Sequence, residues 1–151
     1  MVWQPETMNF RKDRSAGYLA NHMARLFAQR LRERVSHLGL GPAQFPVILE
    51  LRGTDGRTQK ELVERLDIEQ ATVANTIKRM ERDGLVERRA NVEDGRSRII
   101  RLTPRGEAVY APAIEEAKAV NERAFAGFTD AERARFVEMV SRVIEALRER
   151  D

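Results

Sequence analysis

The stretch from Thr58 to Thr103, TQKELVERLDIEQATVANTIKRMERDGLVERRANVEDGRSRIIRLT, contains two helical patterns followed by two extended segments. The helical patterns end at Gly84, a residue type that commonly terminates helices. Beyond it, residues 85–89 and 97–102 have the composition of strands, and Asp94-Gly95 between them is a strong turn signal. The stretch therefore predicts two short helices followed by a β-hairpin.

The helical half of this stretch has the features of a helix-turn-helix motif. Thr58 and Glu61 form a predicted capping box, in which each residue satisfies a free main-chain donor of the other. The apolar stripe of the first short helix comprises Leu62, Val63 and Leu66. The second helix runs from about Gln70 to Asp83 and directs Val73, Ile77 and Met80 inward. Two short helices joined by a tight turn, the second of them basic, predict a helix-turn-helix, and the hairpin after it makes the motif winged.

Two helical patterns precede the motif. The first begins at Ser15, carries apolar residues three or four positions apart as far as Val35, and is ended by the Gly39–Pro42 stretch. A second, shorter helix is predicted over residues 43–51. We expect it to bury Phe45, Ile48 and Leu49.

Two more helices are predicted after the hairpin. Thr103-Pro104 supplies an N-cap and a first-position proline, and the helix that follows is expected to contain a kink or a one-turn defect at Pro112. Thr129 to Glu132 is a second capping box and begins the last helix. The apolar stripe of that helix comprises Phe136, Met139, Val140, Val143, Ile144 and Leu147.

These patterns predict a mainly α fold with a small β-hairpin wing. Its predicted parts are an N-terminal arm (1–14), a dimerisation helix (15–42), a winged helix-turn-helix DNA-binding domain (43–103) and C-terminal dimerisation helices (104–151). The flanking helices carry broader apolar stripes than the winged domain requires. They therefore favour a homodimer, with an intramolecular bundle as the alternative.

Composition and charge narrow the function classes. The 151 residues include no cysteine, which excludes a disulfide scaffold, thiolate metal sites and a thiol redox switch. Residues 70–103 carry eight Lys and Arg against five Asp and Glu, whereas residues 54–69 and 104–151 each have a net charge of −2. This basic block is either an electrostatic footprint for a polyanion or an ordinary solvated face. No apolar run approaches the ~18 residues of a membrane span, and the first 20 residues lack a signal-peptide core, so we expect a cytoplasmic protein without a membrane partner.

The ordered set of motifs resembles one known family. The spacing of Asp94, Arg96 and Leu102-Thr103 resembles the wing signature of the MarR family of winged-helix regulators, and the block from Thr58 through Gly84-Leu-Val-Glu-Arg resembles its helix-turn-helix. The resemblance covers about residues 15–148. It implies a homodimer with intertwined terminal helices that binds double-stranded DNA at inverted repeats about one helical turn apart, roughly 34–36 Å between centres. It also implies repression of nearby genes and, for many members, release from DNA by small aromatic or phenolic effectors.

The resemblance assigns candidate DNA-binding residues to the second helix of the motif. Its outward positions are Gln70, Ala71, Thr72, Ala74, Asn75, Lys78 and Arg79. By similarity, the residues expected to meet bases are Gln70, Thr72, Ala74 and Asn75. The phosphate contacts fall to Lys78 and Arg79, and the alternative for all seven is an ordinary polar face.

Further candidates lie on the wing and at the start of the first short helix. Arg96 is expected to enter the minor groove, with Asp94 orienting it through an ion pair. The alternative for Asp94 is a simple turn residue, and the two roles are compatible. Arg88 and Arg98 are expected to face the DNA backbone. Thr58 begins a helix whose N-terminal N–H groups can bind a phosphate.

An effector pocket between the first, second and fifth helices is implied by the family alone. Its candidate residues are Tyr18, His22, Arg25 and His37, whose donors suit an aromatic carboxylate. The alternative is that these are ordinary surface residues.

No pattern for catalysis is present. The sequence lacks a phosphate-binding glycine loop, a nucleophile elbow and any His spacing suited to zinc, so we expect no enzyme, no metal and no cofactor. Two alternatives to a ligand-responsive regulator remain. One is a DNA-binding protein without small-molecule control, and the other is a protein-interaction module on a winged-helix scaffold.

Overall fold

The computed structural model describes residues 10–149. Within that range six α-helices and three short strands follow one another, in the order α1 (Ala16–Val35), α2 (Phe45–Leu51), β1 (Arg57–Thr58), α3 (Gln59–Leu66), α4 (Gln70–Arg82), β2 (Val86–Ala90), β3 (Arg98–Leu102), α5 (Pro104–Ala124) and α6 (Asp130–Arg148). The predicted fold class, mainly helical with a small β wing, is confirmed. The chain divides into two compact units, one that ends at Glu116 and one that begins at Ala117. The four-part division predicted above stays a prediction.

Helix α1 begins where the sequence indicated. The Ser15 hydroxyl accepts a hydrogen bond from the Tyr18 N–H at 3.3 Å and caps the helix. After Val35 the chain makes a short 3-10 turn and leaves it at Gly39, whose φ of 70° lies in the left-handed region. Of the predicted N-terminal arm, residues 1–9 lie outside the described residues, and Lys12–Arg14 form a single 3-10 turn.

The core of the first unit is built by α2, α3, α4 and the strands. Helix α2 buries Phe45 and Ile48 as predicted, but Leu49 is 42% exposed and the prediction for it was wrong. The buried positions of this helix instead include Val47 and Leu51, because the inward stripe starts at the preceding Gln44 and follows the spacing i, i+3, i+4 and i+7, which leaves Leu49 on the outer side. The stripe of α4 is confirmed: Val73, Ile77 and Met80 are at most 1% exposed.

The wing belongs to a three-stranded antiparallel sheet in the order β1-β3-β2. Strands β2 and β3 pair as the predicted hairpin, with Arg88 opposite Ile100. The two-residue strand β1 was not predicted, and it adds to the other edge of β3. Gly56 permits this pairing, since a Cβ at that position would lie 2.1 Å from the Ile99 side chain and its φ is 119°.

Helices α5 and α6 both begin at threonine caps. The Thr103 hydroxyl accepts from the Gly106 N–H at 3.1 Å and donates to the Gly84 carbonyl at 2.6 Å, which joins the start of α5 to the end of α4. Helix α5 is assigned without a break across Pro112, so the predicted one-turn defect is not found in this described helix. Pro112 and Ala108 are both exposed, and water can bind the carbonyl that lacks its usual N–H partner.

Candidate nucleic-acid interface

The face of α4 opposite its buried stripe is polar and exposed. Six of the seven predicted positions on it are exposed, and Ala74 is half-buried. Among the described residues, the side chains of Gln70, Asn75, Lys78 and Arg79 have no hydrogen-bonding or ionic partner. Because the buried stripe anchors α4 on one side, these donors are held facing away from the core on a rigid helix.

The hairpin loop is organised by its own polar residues. The Asn91 side-chain amide donates to the Ser97 hydroxyl at 2.8 Å, and the Glu93 N–H donates to the Asn91 side-chain oxygen at 3.1 Å. The Asp94 carboxylate accepts from the Arg96 main-chain N–H at 3.0 Å. The loop therefore has a defined geometry that leaves the Arg96 side chain exposed.

The prediction of an ion pair between Asp94 and Arg96 was wrong. Within the described hairpin, the two residues meet through the main-chain N–H of Arg96 and not through its guanidinium. The reason is local: a carboxylate two residues before an N–H is at the distance of an Asx turn, which it forms without fixing a long, flexible side chain. The turn role of Asp94, the second interpretation given above, is the one that the structure supports.

Five predicted residues come together in one groove between the start of α3 and the wing. This groove has a volume of about 560 Å³, and its lining includes Thr58, Arg88, Asp94, Arg96 and Arg98. Three arginines thus line a single depression. Lys60 is a fourth cation on its lining, and the sequence reasoning did not single it out.

Arg88 differs from the other two arginines of the groove. Its Nε donates to the Glu81 carboxylate of α4 at 2.7 Å, so its charge is already paired. The neighbouring Arg89 pairs with Glu87, which also lies 3.7 Å from Arg101. Glu81 was missed because it is separated from Arg88 by the turn between a helix and a strand, where neither helical nor strand spacing relates two residues.

Thr58 caps α3 through only half of the predicted capping box. Its hydroxyl accepts from the Glu61 N–H at 3.1 Å, as expected. The Glu61 carboxylate reaches the Thr58 hydroxyl at 3.2 Å and not the Thr58 main-chain N–H. Thr58 also belongs to β1, where it pairs with Ile99, and this pairing sets the main-chain conformation before the helix.

The four candidate effector residues do not line either of the two described grooves. Tyr18, His22 and Arg25 are exposed on α1, and the rings of Tyr18 and His22 meet edge to face with centroids 6.4 Å apart. His37 is exposed in the 3-10 turn beyond the end of the helix. The second described groove runs along α6, and neither groove includes any of the four residues.

Gln44 is a buried polar residue that the sequence reasoning also missed. Its side-chain oxygen accepts from the Gly41 N–H at 3.0 Å, and its amide donates to the Asp83 carboxylate at the end of α4 at 3.1 Å. That hydrogen bond, with the charge of Arg82, lowers the pKa of Asp83 below its ordinary value of 3.8. Gln44 thereby joins the loop after α1 to the end of α4, 39 positions later in the chain.

The comparisons with known proteins agree on a regulator of transcription. A model of the MarR family matches residues 38–97. The HTH-type transcriptional regulator YwoH of Bacillus subtilis is 35% identical over 116 residues, which are 77% of this chain and 84% of that relative.

Two similar solved structures carry a bound partner. The PcaV transcriptional regulator of Streptomyces coelicolor, in complex with its natural ligand, is 25% identical with a TM-score of 0.82 over 93% of this chain and 99% of its own. A MarR family regulator of Listeria monocytogenes, complexed with 26mer DNA, is 25% identical with a TM-score of 0.81 over 89% of each chain.

The helix-turn-helix formed by α3 and α4, followed by the β2–β3 wing, defines a winged helix-turn-helix protein. The chain belongs to the MarR family of transcriptional regulators. Over residues 10–149, no helix is long and apolar enough to cross a membrane.

Proposed function

We propose that this protein is a sequence-specific transcriptional repressor that binds an inverted repeat as a homodimer and responds to a small aromatic or phenolic effector. The observation that carries the proposal is the exposed face of α4, whose polar side chains have no partner among the described residues. An exposed row of amide, hydroxyl and cationic groups on one helix matches the donors and acceptors of a major groove.

The residues of α4 divide by chemistry. Asn75 and Gln70 carry amides that pair with adenine through two hydrogen bonds, while Thr72 and Ala74 suit the methyl group of thymine. Lys78 and Arg79, one to two turns further along, supply charge to phosphates, and Ala71 allows close approach of the helix. The base contacts then choose the site, and the phosphate contacts position the helix.

The wing adds a second point of contact. Arg96 extends from a loop that its own hydrogen bonds hold in place, which suits insertion into a narrow minor groove. Arg98 and the N-terminal end of α3 at Thr58 face the same groove of the protein and provide further phosphate contacts.

Apolar side chains on the terminal helices support dimerisation. Helix α1 exposes Tyr18, Leu19 and Leu26, each about two-fifths to half exposed. Helix α6 exposes a larger set, comprising Val137, Met139, Val143, Ile144 and Leu147. Rows of this kind on amphipathic helices mark protein–protein interfaces, and a two-fold dimer presents two copies of α4 to successive major grooves.

Control by an effector is supported by the relative from Streptomyces coelicolor, which was solved with its natural ligand. We place Tyr18, His22, Arg25 and His37 in this role. The second candidate is a DNA-binding regulator without small-molecule control, which is favoured by the absence of these four residues from both described grooves.

The test is fluorescence anisotropy of the protein with its own upstream intergenic DNA and with a scrambled duplex, across a salt series. We expect selective binding, two chains per site and an affinity that falls steeply with salt. Equal and weak binding to both duplexes would contradict the assignment of that DNA as an operator. Release on adding aromatic acids, with phenylalanine as a non-effector control, separates the two candidate functions.

A further inference from the structure

We infer that Glu81 and Arg88 together set the angle between α4 and the wing, so that Arg88 is a positioning residue and not a DNA contact. This inference rests on the proposed function and assigns Arg88 a different role within it. Glu81 enters the recognition surface as a residue that acts without touching DNA.

The ion pair joins two elements that the proposed function requires to act together. Glu81 lies in the last turn of α4, and Arg88 is the third residue of β2. The Arg88 Nε and the Glu81 Oε1 are 2.7 Å apart, and the two side chains are 31% and 36% exposed. Partial burial limits the screening of this pair by solvent, so it holds its geometry better than a fully exposed pair.

The turn between the two residues is itself well anchored. The Leu85 N–H donates to the Met80 carbonyl at 2.9 Å, and the Thr103 N–H donates to the Leu85 carbonyl at 3.0 Å. These bonds locate the start of β2, and both involve Leu85, the residue just before the strand. The Glu81–Arg88 pair adds a second attachment four residues after Gly84, and two separated attachments fix an angle where one does not.

The charges around Arg88 explain why it needs Glu81. Arg88 lines the groove together with Arg96 and Arg98 and is the least exposed of the three. The lining of the groove carries four cations, with Lys60, and three carboxylates, and Glu81 pairs with Arg88, which has the least access to water of the four. A phosphate that approached Arg88 would compete with this carboxylate and be repelled by it. The pair therefore adds no net charge toward DNA.

A double-mutant cycle tests this assignment. Glu81→Ala, Arg88→Ala and the double variant are titrated with operator and with scrambled DNA, and the ratio of the two affinities is followed across salt. We expect each single variant to lower that ratio by up to about fivefold, the size of one such ion pair, and the double variant to lower it no further. The salt slope should stay at the wild-type value.

Glu81→Ala separates positioning from electrostatics. Removing a carboxylate near DNA should strengthen binding to every sequence if electrostatics alone decides, whereas the inference expects weaker binding to the operator. The charge-swapped variant Glu81→Arg/Arg88→Glu should restore the ratio. Arg89 is the matched control: it follows Arg88 on the opposite face of the strand, and Glu81→Ala with Arg89→Ala should show no coupling.

Contrary outcomes are distinct. If Arg88→Ala reduces the salt slope by about one and weakens binding to both duplexes alike, Arg88 is a phosphate contact and the inference is overturned. An unchanged ratio in both single variants overturns it as well. Exchange of the Arg88 Nε–H, followed by NMR on the free protein, tests the ion pair without DNA: it should be slow in the wild type and fast in Glu81→Ala. The wild type could show no selective DNA binding while the exchange of the Arg88 Nε–H is slow and is accelerated in Glu81→Ala. This result would contradict the proposed function and would still support the ion pair.

Discussion

Helices α4 and α6 carry the same kind of apolar stripe, but the stripe of α4 is buried and that of α6 is exposed. In α4 the stripe residues Val73, Ile77 and Met80 are covered by their own unit. In α6, which has no buried residue, Val143 is 55% exposed and Leu147 80%. Helical periodicity thus predicts that a face is to be covered and leaves open what covers it. For α4 the cover is the chain itself, and for α6 we propose a second copy.

The two predicted capping boxes differ in a similar way. At Thr129 both reciprocal hydrogen bonds form, and the bond from the Thr129 N–H lowers the pKa of Glu132. At Thr58, which is part of a strand, only the threonine side forms as expected. The capping box at Thr58 is incomplete because Thr58 also pairs in a strand, and this pairing sets its main-chain conformation. Thr129 belongs to no strand, and both bonds of its capping box form.

The largest loss of stability is expected from shortening a side chain in the buried stripe of α4. Ile77→Ala removes a fully buried side chain from α4 and should lower the free energy of unfolding by about 2–5 kcal/mol. Urea denaturation followed by circular dichroism measures this. Asn75→Ala, on the exposed face of the same helix, should change stability by no more than about 0.5 kcal/mol. Comparable losses in both variants would show that α4 is not anchored by this stripe.

A substitution in the exposed stripe of α6 should weaken dimerisation and leave the folding of the chain unchanged. Val143→Asp places a charge within the proposed interface and should raise the dissociation constant of the dimer by about 30-fold, as the loss of an interface hot spot does. Sedimentation velocity across concentration measures this. Ala134→Asp adds the same charge nine residues earlier, on the opposite side of the helix, and should leave association unchanged. A wild type that is monomeric throughout would contradict the homodimer.

A smaller loss of stability is expected when the hydrogen bond between Gln44 and Asp83, at the end of α4, is removed. Gln44→Ala removes the partner of the Gly41 N–H and of Asp83 and should cost about 1–3 kcal/mol of stability at pH 7. The pKa of Asp83 is lowered in the folded protein, so its ionised form stabilises the fold above the unfolded-state value of 3.8, and this contribution is lost as the pH falls through the lower folded value.

The difference in stability between wild type and Gln44→Ala should therefore narrow as the pH falls below about 3.8. Thermal unfolding at a series of pH values measures it. Asp83→Asn is the control, since the amide oxygen can still accept from Gln44 while the side chain no longer titrates. A pH-independent difference between wild type and Gln44→Ala would exclude Asp83 as the group responsible.

The smallest change in affinity is expected from substitutions on the exposed face of α4 and on the wing, and the two kinds of substitution should differ in their dependence on DNA sequence and on salt. Arg96→Ala should weaken binding to every DNA and reduce the salt slope by about one, because one cation is lost. Asn75→Ala should instead cost about 1–3 kcal/mol on the operator alone and leave the slope unchanged. Anisotropy with operator and scrambled duplexes distinguishes the two. Identical behaviour of both variants would mean that α4 and the wing do not divide recognition as proposed.

Much of the fold could be predicted because its signals are local. The stripe of α4, the start of α1 at Ser15, the cap at Thr129 and the hairpin around Asp94-Gly95 each depend on residues within one or two turns of each other. Their outcome is decided by main-chain geometry and spacing alone. The outward positions of α4 follow from the same periodicity, which is why most predicted positions on that face are exposed.

What escaped prediction depends on residues brought together from distant positions. Strand β1 exists because Gly56 lets it approach β3, and Leu49 is exposed because α2 turns Val47 and Leu51 inward in its place. Gln44 finds Asp83 across 39 positions, and Glu81 finds Arg88 across a change from helix to strand.

The amino-acid sequence by itself determined the order of the elements, the family and the residues that face outward on α4, because periodicity, capping and turn chemistry act between near neighbours. Only the tertiary structure decided which charges remain free. Arg88 and Arg96 look alike along the chain, yet one is paired with Glu81 and the other extends from the loop. The physical reason is that an ion pair forms between whichever opposite charges the packed elements place within a few ångströms, and this distance is set by packing and not by position in the chain.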